Sequence, residues 1–201
     1  SLAGYDLLFV LGGAQDTWQE DEHGFLPGEK QAIREWVKDR AKPYIGVCLG
    51  HQLLCDALGG EVGLMDGRKE VGVHEIELTE DGRSHHLFDG LGPRHKVMQW
   101  HFAEVKRAPE GAKVLARSDA ADIQTVAVGD HAIGTQFHCE FSPQTVASWS
   151  SLPSYISTLE RHNGEGAYRR LMAESYPLMP DMHAMTRRIY DNLIAAAGLR
   201  P

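Results

Sequence analysis

The chain has 201 residues, and 20 Lys and Arg against 28 Asp and Glu give it a formal net charge of −8. An acidic chain of this kind lacks the basic surface that nucleic acids and anionic membranes require, which excludes both as expected partners. Its apolar runs are too short to cross a bilayer. A composition that is 42% hydrophobic and 24% charged is typical of a globular domain.

The three cysteines are sparse, and no two of them form a Cys-x-x-Cys pair. This pattern does not provide a disulfide framework, and it is typical of proteins in a reducing compartment. We therefore expect a cytoplasmic protein.

Strand patterns alternate with helix patterns along the chain, which predicts a layered α/β fold. The first apolar run is typical of a strand covered on both faces. The predicted strands are Tyr5–Leu11, Tyr44–Val47, Val71–Leu78, Val97–Trp100, Val114–Ala116, Ile123–Val128 and Ala132–Phe137. The predicted helices are Glu29–Ala41, Leu49–Leu58, Gln144–Ser150, Glu165–Ser175 and Met182–Ala197, and Ala14–Gly28 is predicted to be a loop.

The segment Gly-Val-Cys-Leu-Gly-His-Gln at positions 46–52 joins a predicted strand to a predicted helix. A cysteine at such a turn is pushed toward solvent, and the flanking glycines leave room for the tight backbone. The N-terminal end of the helix favours the nucleophilic thiolate, and the N–H of Leu49 can point at a developing oxyanion. By itself, Cys48 is equally consistent with core packing, the role that we predict for Cys55.

A histidine and a glutamate follow the last predicted strand, in Gln-Phe-His-Cys-Glu at positions 136–140. A thiol nucleophile needs a base, and that base needs a carboxylate to orient it. The spacing of His138 and Glu140 puts both side chains on one side of an extended chain. Taken alone, the same residues are better explained as a surface histidine beside a solvated glutamate.

A glycine pair, Gly12-Gly13, follows the first predicted strand. Glycines at a strand's carboxyl end let backbone N–H groups approach a ligand, although a tight turn explains them as well. Together with the two segments above, the pair resembles the corresponding motifs of the class I (triad-type) glutamine amidotransferases. The resemblance extends from Tyr5 to about Ser150 and agrees in order and spacing.

The resemblance implies a three-layer α/β fold with a mostly parallel, flavodoxin-like central sheet and flanking helices. It also implies that a single domain spans residues 1–201, with a helical extension at 151–201. In the family, a strand, a helix and their connection precede the first segment, so we expect roughly 30 or more residues of the family's fold ahead of Ser1.

The resemblance further implies hydrolysis of the glutamine side-chain amide through a thioester. Cys48 would attack the carboxamide, His138 would transfer protons, and Glu140 would hold the imidazole. The family's substrate and oxyanion contacts fall on Gly12, Gly13, Leu49, Gln52 and His101 of this chain. No metal or cofactor is implied.

The chain departs from the family pattern at three places. Cys139 stands where the family often has Pro between the histidine and the glutamate, and Ala14 replaces a Pro after the glycine pair. Phe102-Ala103 replaces a Gly-Asp pair after His101. The third departure bears on how the α-amino and α-carboxyl groups of a substrate are held, but not on the triad.

Three functions remain open at this stage. The first is a glutaminase that releases ammonia. Since this chain has no phosphate-binding loop, the acceptor partner is either a separate synthetase subunit or does not exist. The second is a γ-glutamyl hydrolase or peptidase with the same triad, and the third is a silent binding module. Two metal alternatives are weaker. Zinc held by Cys48, His51 and Cys55 would have three ligands at one helix start and no fourth in view. A metal on His85-His86 is disfavoured because adjacent residues usually point apart, so we expect this pair on the surface.

Overall fold

A seven-stranded sheet forms the centre of the computed structural model, which describes residues 2–142, 144–145 and 153–199. The strands, in chain order, are β1 (Leu8–Val10), β2 (Tyr44–Val47), β3 (Glu61–Leu64), β4 (Glu70–Leu78), β5 (Arg94–His101), β6 (Ala103–Arg107), β7 (Lys113–Arg117), β8 (Thr125–Val128) and β9 (Ala132–Thr135). The large sheet has the order β1-β2-β9-β8-β7-β4-β5, and β3 pairs with β6 in a separate antiparallel ribbon.

Six α-helices accompany these strands within the described ranges. They are α1 (Leu26–Arg34), α2 (Leu49–Ala57), α3 (Glu80–Ser84), α4 (Pro153–Asn163), α5 (Ala167–Ser175) and α6 (Met179–Ala196). A π-helical segment, Glu35–Asp39, continues α1, and 3-10 turns lie at His86–Phe88 and Tyr176–Leu178. None of the described helices is both long and apolar enough to span a membrane.

Helices cover both faces of the large sheet, which makes three layers. On one face, Tyr44 and Ala132 pack in a core cluster with the apolar residues of α1 and α2. On the other face, Ile133 packs with Ile189 and Leu193 of α6. Because successive strand side chains point to opposite faces, neighbours such as Ala132 and Ile133 belong to different cores. This confirms the predicted α/β fold with flanking helices.

The expectation of a mostly parallel sheet is wrong in this detail. Only β1, β2 and β9 run parallel among the described strands, and the other neighbours pair antiparallel, so the sheet is mixed. For the β8–β9 pair the reason is the length of the connection, because a parallel pair needs a crossover of about a dozen residues or more. The residues between β8 and β9 are too few for one, so they form a hairpin.

The sequence patterns missed several short elements. The β3–β6 ribbon, α3 and α4 were not predicted, and α1 begins at Leu26, inside the expected loop. Pro27 in the first turn of α1 and the Thr79 side chain that caps α3 are helix-start signals. The helix predicted at Gln144–Ser150 lies mostly outside the described residues, which include only 144 and 145 of it, both helical.

Candidate active site

The carboxyl ends of the three parallel strands meet at one edge of the sheet. Val10 lies opposite Gly46, and Val47 lies opposite Thr135. The residues that follow these strands therefore come together: the glycine pair after β1, Cys48 after β2 and His138 after β9. The carboxyl edge of parallel strands is where open α/β sheets bind their ligands.

Cys48 occupies a strained turn between β2 and α2. Its φ of 52° lies in the left-handed region, which non-glycine residues rarely adopt. The flanking glycines permit this turn, because a methyl group built on Gly46 would lie 2.5 Å from the carbonyl carbon of Gly50. One built on Gly50 would lie 2.2 Å from the carbonyl oxygen of Val10. The predicted elbow is therefore present, and the Cys48 sulfur lies 3.9 Å from the carbonyl oxygen of Trp100.

His138 and Glu140 form the pair that their spacing predicts. The Nδ1 atom of His138 lies 2.6 Å from a carboxylate oxygen of Glu140. The backbone N–H of His138 donates to the carbonyl of Met98 on β5, which holds the residue beside that strand. Burial lowers the pKa of His138, but hydrogen bonds to Cys48 and Glu140 outweigh this effect and raise the pKa to about 10.

The glycine pair after β1 packs against the residues of the elbow. A methyl group built on Gly12 would lie 3.2 Å from Cε1 of His138 and 3.4 Å from Cβ of Cys48. One built on Gly13 would lie 2.7 Å from a methyl carbon of Leu49. The backbone of this loop thus lies close to the sulfur. The Leu49 N–H belongs to the first turn of α2, where N–H groups have no intrahelical acceptor.

Gln52 and His101 lie at the cavity wall but are held from behind. The Gln52 side-chain amide donates to the carbonyl of Ala103 at 3.1 Å and to the Gln136 side chain at 3.0 Å. This leaves its carbonyl oxygen for a ligand. Both ring nitrogens of His101 have protein partners, the Ala103 carbonyl at 2.9 Å and the Glu70 carboxylate at 3.0 Å. The expected direct substrate contact through His101 nitrogens therefore conflicts with its bonding.

A cavity of about 600 Å³ opens over these residues. Its apolar wall includes Leu11, Trp100, Phe102 and Phe141, and its polar wall includes Cys48, His138, Glu140, Gln52 and Asp16. All three predicted triad members and both glycines line this one cavity.

The sequence patterns missed a buried polar layer behind the cavity. Glu70 is 1% exposed and accepts hydrogen bonds from His101 and, at 2.5 Å, from the Gln124 amide. Burial raises the Glu70 pKa, but the hydrogen bond and charge of His101 outweigh it and hold this pKa below its usual range. A glutamate that opens a strand after Lys69 reads as a surface residue, so the burial has no sequence signal.

Of the other two cysteines, one lies in the core and one packs against it. Cys55 is fully buried beside Val105 and Val126, which confirms the packing role predicted for it. Cys139 packs against the core on the α6 side, and burial raises its pKa to about 12. The thiol next to His138 therefore stays protonated and unreactive near neutral pH.

Neither metal alternative fits the geometry well. Among the described residues, the one group of three possible ligands within 4.8 Å is His85, His86 and Asp130, so Cys48, His51 and Cys55 do not form one. His85 is buried rather than on the surface, and its Nδ1 accepts from the N–H of Leu87. The neutral ring then carries its proton on Nε2, which leaves His85 without a lone pair for a metal.

Comparisons with known proteins agree with the residues. The family model "Glutamine amidotransferase class-I" matches residues 1–148. The chain is 34% identical over 141 residues to a glutamine-hydrolyzing GMP synthase subunit from Sulfolobus acidocaldarius, covering 69% of each protein. It is 35% identical over 145 residues to the glutamine amidotransferase-like protein YfeJ of Salmonella typhimurium, covering 71% of this chain and 59% of YfeJ.

The fold agrees with a solved structure as well. A glutamine amidotransferase from Thermotoga maritima superimposes with a TM-score of 0.84 at 27% identity, covering 96% of this chain and 80% of that one. The family model matches most of the chain, and the chain covers more than two thirds of the relative from Sulfolobus acidocaldarius. Both findings point to one family. This chain belongs to the class I glutamine amidotransferases.

Proposed function

We propose that this protein hydrolyses the side-chain amide of glutamine with a triad of Cys48, His138 and Glu140. The observation that carries the proposal is the shared cavity in which Gly12 packs against both Cys48 and His138, while Glu140 binds the far side of the imidazole. Nucleophile, base and orienting carboxylate are thus arranged in the order that acyl transfer requires.

The chemistry follows from these positions. The Cys48 proton passes to His138, and the sulfur attacks the amide carbon to form a tetrahedral oxyanion. His138 then donates the proton to the departing nitrogen, so that ammonia leaves and a thioester remains. His138 next takes a proton from water, whose oxygen attacks the thioester, and returning that proton to sulfur releases glutamate. A ring whose pKa is raised to about 10 is basic enough to accept the Cys48 proton in the first step of this cycle.

The backbone N–H groups of Leu49 and Gly13 are the proposed oxyanion donors. Their loops pack against each other beside Cys48, and the loss of one such donor typically costs about 10²–10³ in turnover. The Gln52 carbonyl oxygen would accept from the substrate, since its amide hydrogens are committed to Ala103 and Gln136. His101 would act from behind, by holding the same Ala103 carbonyl that holds Gln52.

We also propose that the chain works as one domain over residues 1–201, with 151–201 as its helical extension, because α6 packs in the same core as the sheet.

The partner of this protein would be a separate synthetase subunit that accepts the ammonia. The relative from Sulfolobus acidocaldarius supports that arrangement, since its name describes one subunit of a glutamine-hydrolyzing GMP synthase. We further propose that the protein is cytoplasmic.

A second candidate is hydrolysis of larger γ-glutamyl compounds by the same triad. The cavity of about 600 Å³ favours it, because pockets of this size typically hold ligands larger than a single amino acid. Its apolar wall of Trp100, Phe102 and Phe141 would accommodate the group on the amide nitrogen.

Ammonia release from glutamine tests the first candidate, with amine release from γ-glutamyl amides run alongside it. Cys48→Ala should abolish either activity, whereas Cys55→Ala, which changes a cysteine in the core, should retain it. Release from γ-glutamyl amides alone would favour the second candidate. If neither substrate reacts and a diazoketone analogue of glutamine fails to label Cys48, the protein is a binding module and both enzymatic proposals are wrong.

A further inference from the structure

Asp16 is an acidic residue that lines the cavity containing Cys48. The residue belongs to the loop after β1, the same loop that carries the glycine pair. Two contacts fasten its backbone: its N–H donates to the Gln19 side chain at 2.7 Å, and its carbonyl accepts from the Gln19 N–H at 3.1 Å. The loop therefore presents this side chain from a defined position.

The Asp16 carboxylate has no hydrogen-bond or ion-pair partner among the described residues. The neighbouring Glu20 differs, because it pairs with Lys30 at 2.6 Å. Asp16 is partly buried, and this burial raises its pKa. A partly desolvated carboxylate without a donor gains more from binding a cation than an exposed one does.

The charges around the cavity favour a cationic ligand group. Among its described lining residues, the two that are acidic are Asp16 and Glu140, and Glu140 is already bound to His138. The described lining residues include neither Lys nor Arg, and the sequence of residues 146–152 contains none either. His101 cannot supply a donor, since both of its nitrogens are bonded to protein groups.

We propose that Asp16 is a specificity-determining residue that binds the α-ammonium group of the substrate. This inference rests on the proposed function, because a glutamine or γ-glutamyl amide whose carbonyl lies at Cys48 extends its amino-acid end into the same cavity. The substrate class is then γ-glutamyl amides with a free α-amino group. Since the described wall offers no cation to an α-carboxylate, substrates whose α-carboxyl is amidated belong to the class as well.

The test compares Asp16→Asn with the wild type on two matched substrates. L-Glutamine carries the α-ammonium group, and glutaramate has the same amide and carboxylate without it. The variant should raise KM for glutamine about 10- to 100-fold and change kcat much less. This rise in KM corresponds to the loss of one hydrogen bond between charged groups. KM for glutaramate should not change. The control is Asp21→Asn, an exposed carboxylate of the same loop, which should alter neither value.

Equal losses on both substrates, or no loss on glutamine, would overturn the assignment. A second readout separates it from the proposed function: protection of Cys48 against iodoacetamide by saturating glutamine. If the wild type hydrolyses neither substrate, the proposed function fails. The role of Asp16 is still supported if glutamine protects Cys48 in the wild type and protects it less in Asp16→Asn. Absence of protection in the wild type, or equal protection by glutamine and glutaramate, would contradict it.

Discussion

The backbone N–H of Cys48 donates a 2.8 Å hydrogen bond to the carbonyl of Thr135, so the ends of β2 and β9 are joined directly. Cys48 and His138 are 90 positions apart in the chain. The pairing of β2 with β9 brings both residues to one edge of the sheet. The geometry of the candidate triad therefore depends on the register of β2 and β9 rather than on the loops alone.

Glu140→Gln should lower the pKa of His138, because the hydrogen bond and charge of Glu140 both raise it. With the imidazole less firmly held and less basic, we expect kcat/KM for glutamine to fall by about 10²-fold. An NMR titration of the His138 ring and the pH profile of ammonia release would measure the two effects. Glu110→Gln, an exposed change away from the site, serves as the control. An unchanged His138 pKa would contradict the assigned pairing.

Gly50→Ala should both destabilise the protein and reduce the reactivity of Cys48. Its methyl group would lie 2.2 Å from the Val10 carbonyl oxygen, so β1 and α2 must separate. Overpacking of this kind costs about 1–3 kcal/mol in the free energy of unfolding. Gly28→Ala in α1 is the matched control, because that position is open and alanine should stabilise the helix by about 0.5–1 kcal/mol. Urea unfolding and the rate of Cys48 alkylation would show both effects, and equal behaviour of the two variants would refute the steric explanation.

Glu70→Gln should destabilise the fold, because it leaves His101 in a buried site without its charged partner. The two side chains are 1% and 2% exposed, so water cannot replace the lost contact. We expect a loss of about 2–4 kcal/mol in the free energy of unfolding, since removing one member of a buried pair is costly. Glu75→Gln on the same strand removes an exposed pair with Lys96 and should leave stability nearly unchanged. Similar urea midpoints for the two variants would argue against a stabilising contact between Glu70 and His101.

His51 should make stability fall in mild acid. Burial, with the charge of His101 adding to it, lowers the His51 pKa from 6.5 to about 3. As the pH falls from 6.5 toward 3, the unfolded chain binds a proton that the folded chain does not, so the free energy of unfolding decreases over that window. His51→Gln should therefore show a flatter pH dependence than the wild type. Parallel curves for the two proteins in urea unfolding at several pH values would contradict the buried neutral histidine.

The sequence alone determined the local features of this protein, because each depends on a few adjacent residues. Gly-Val-Cys-Leu-Gly predicts a tight strand-to-helix turn around Cys48, and the spacing of His138 and Glu140 predicts their pairing. The alternating strand and helix patterns similarly predict a layered α/β fold, with Cys55 in its core.

Only the tertiary structure decided which distant residues meet. Strand order and direction are set by connection lengths and by packing on both faces, which no local pattern reports, and so the sheet proved mixed. The same holds for Glu70, which reads as a surface residue and yet lies buried against His101, and for Asp16, whose position in the cavity wall depends on the loop fold. Burial and charge pairing are properties of the packed chain, since each requires neighbours from other elements.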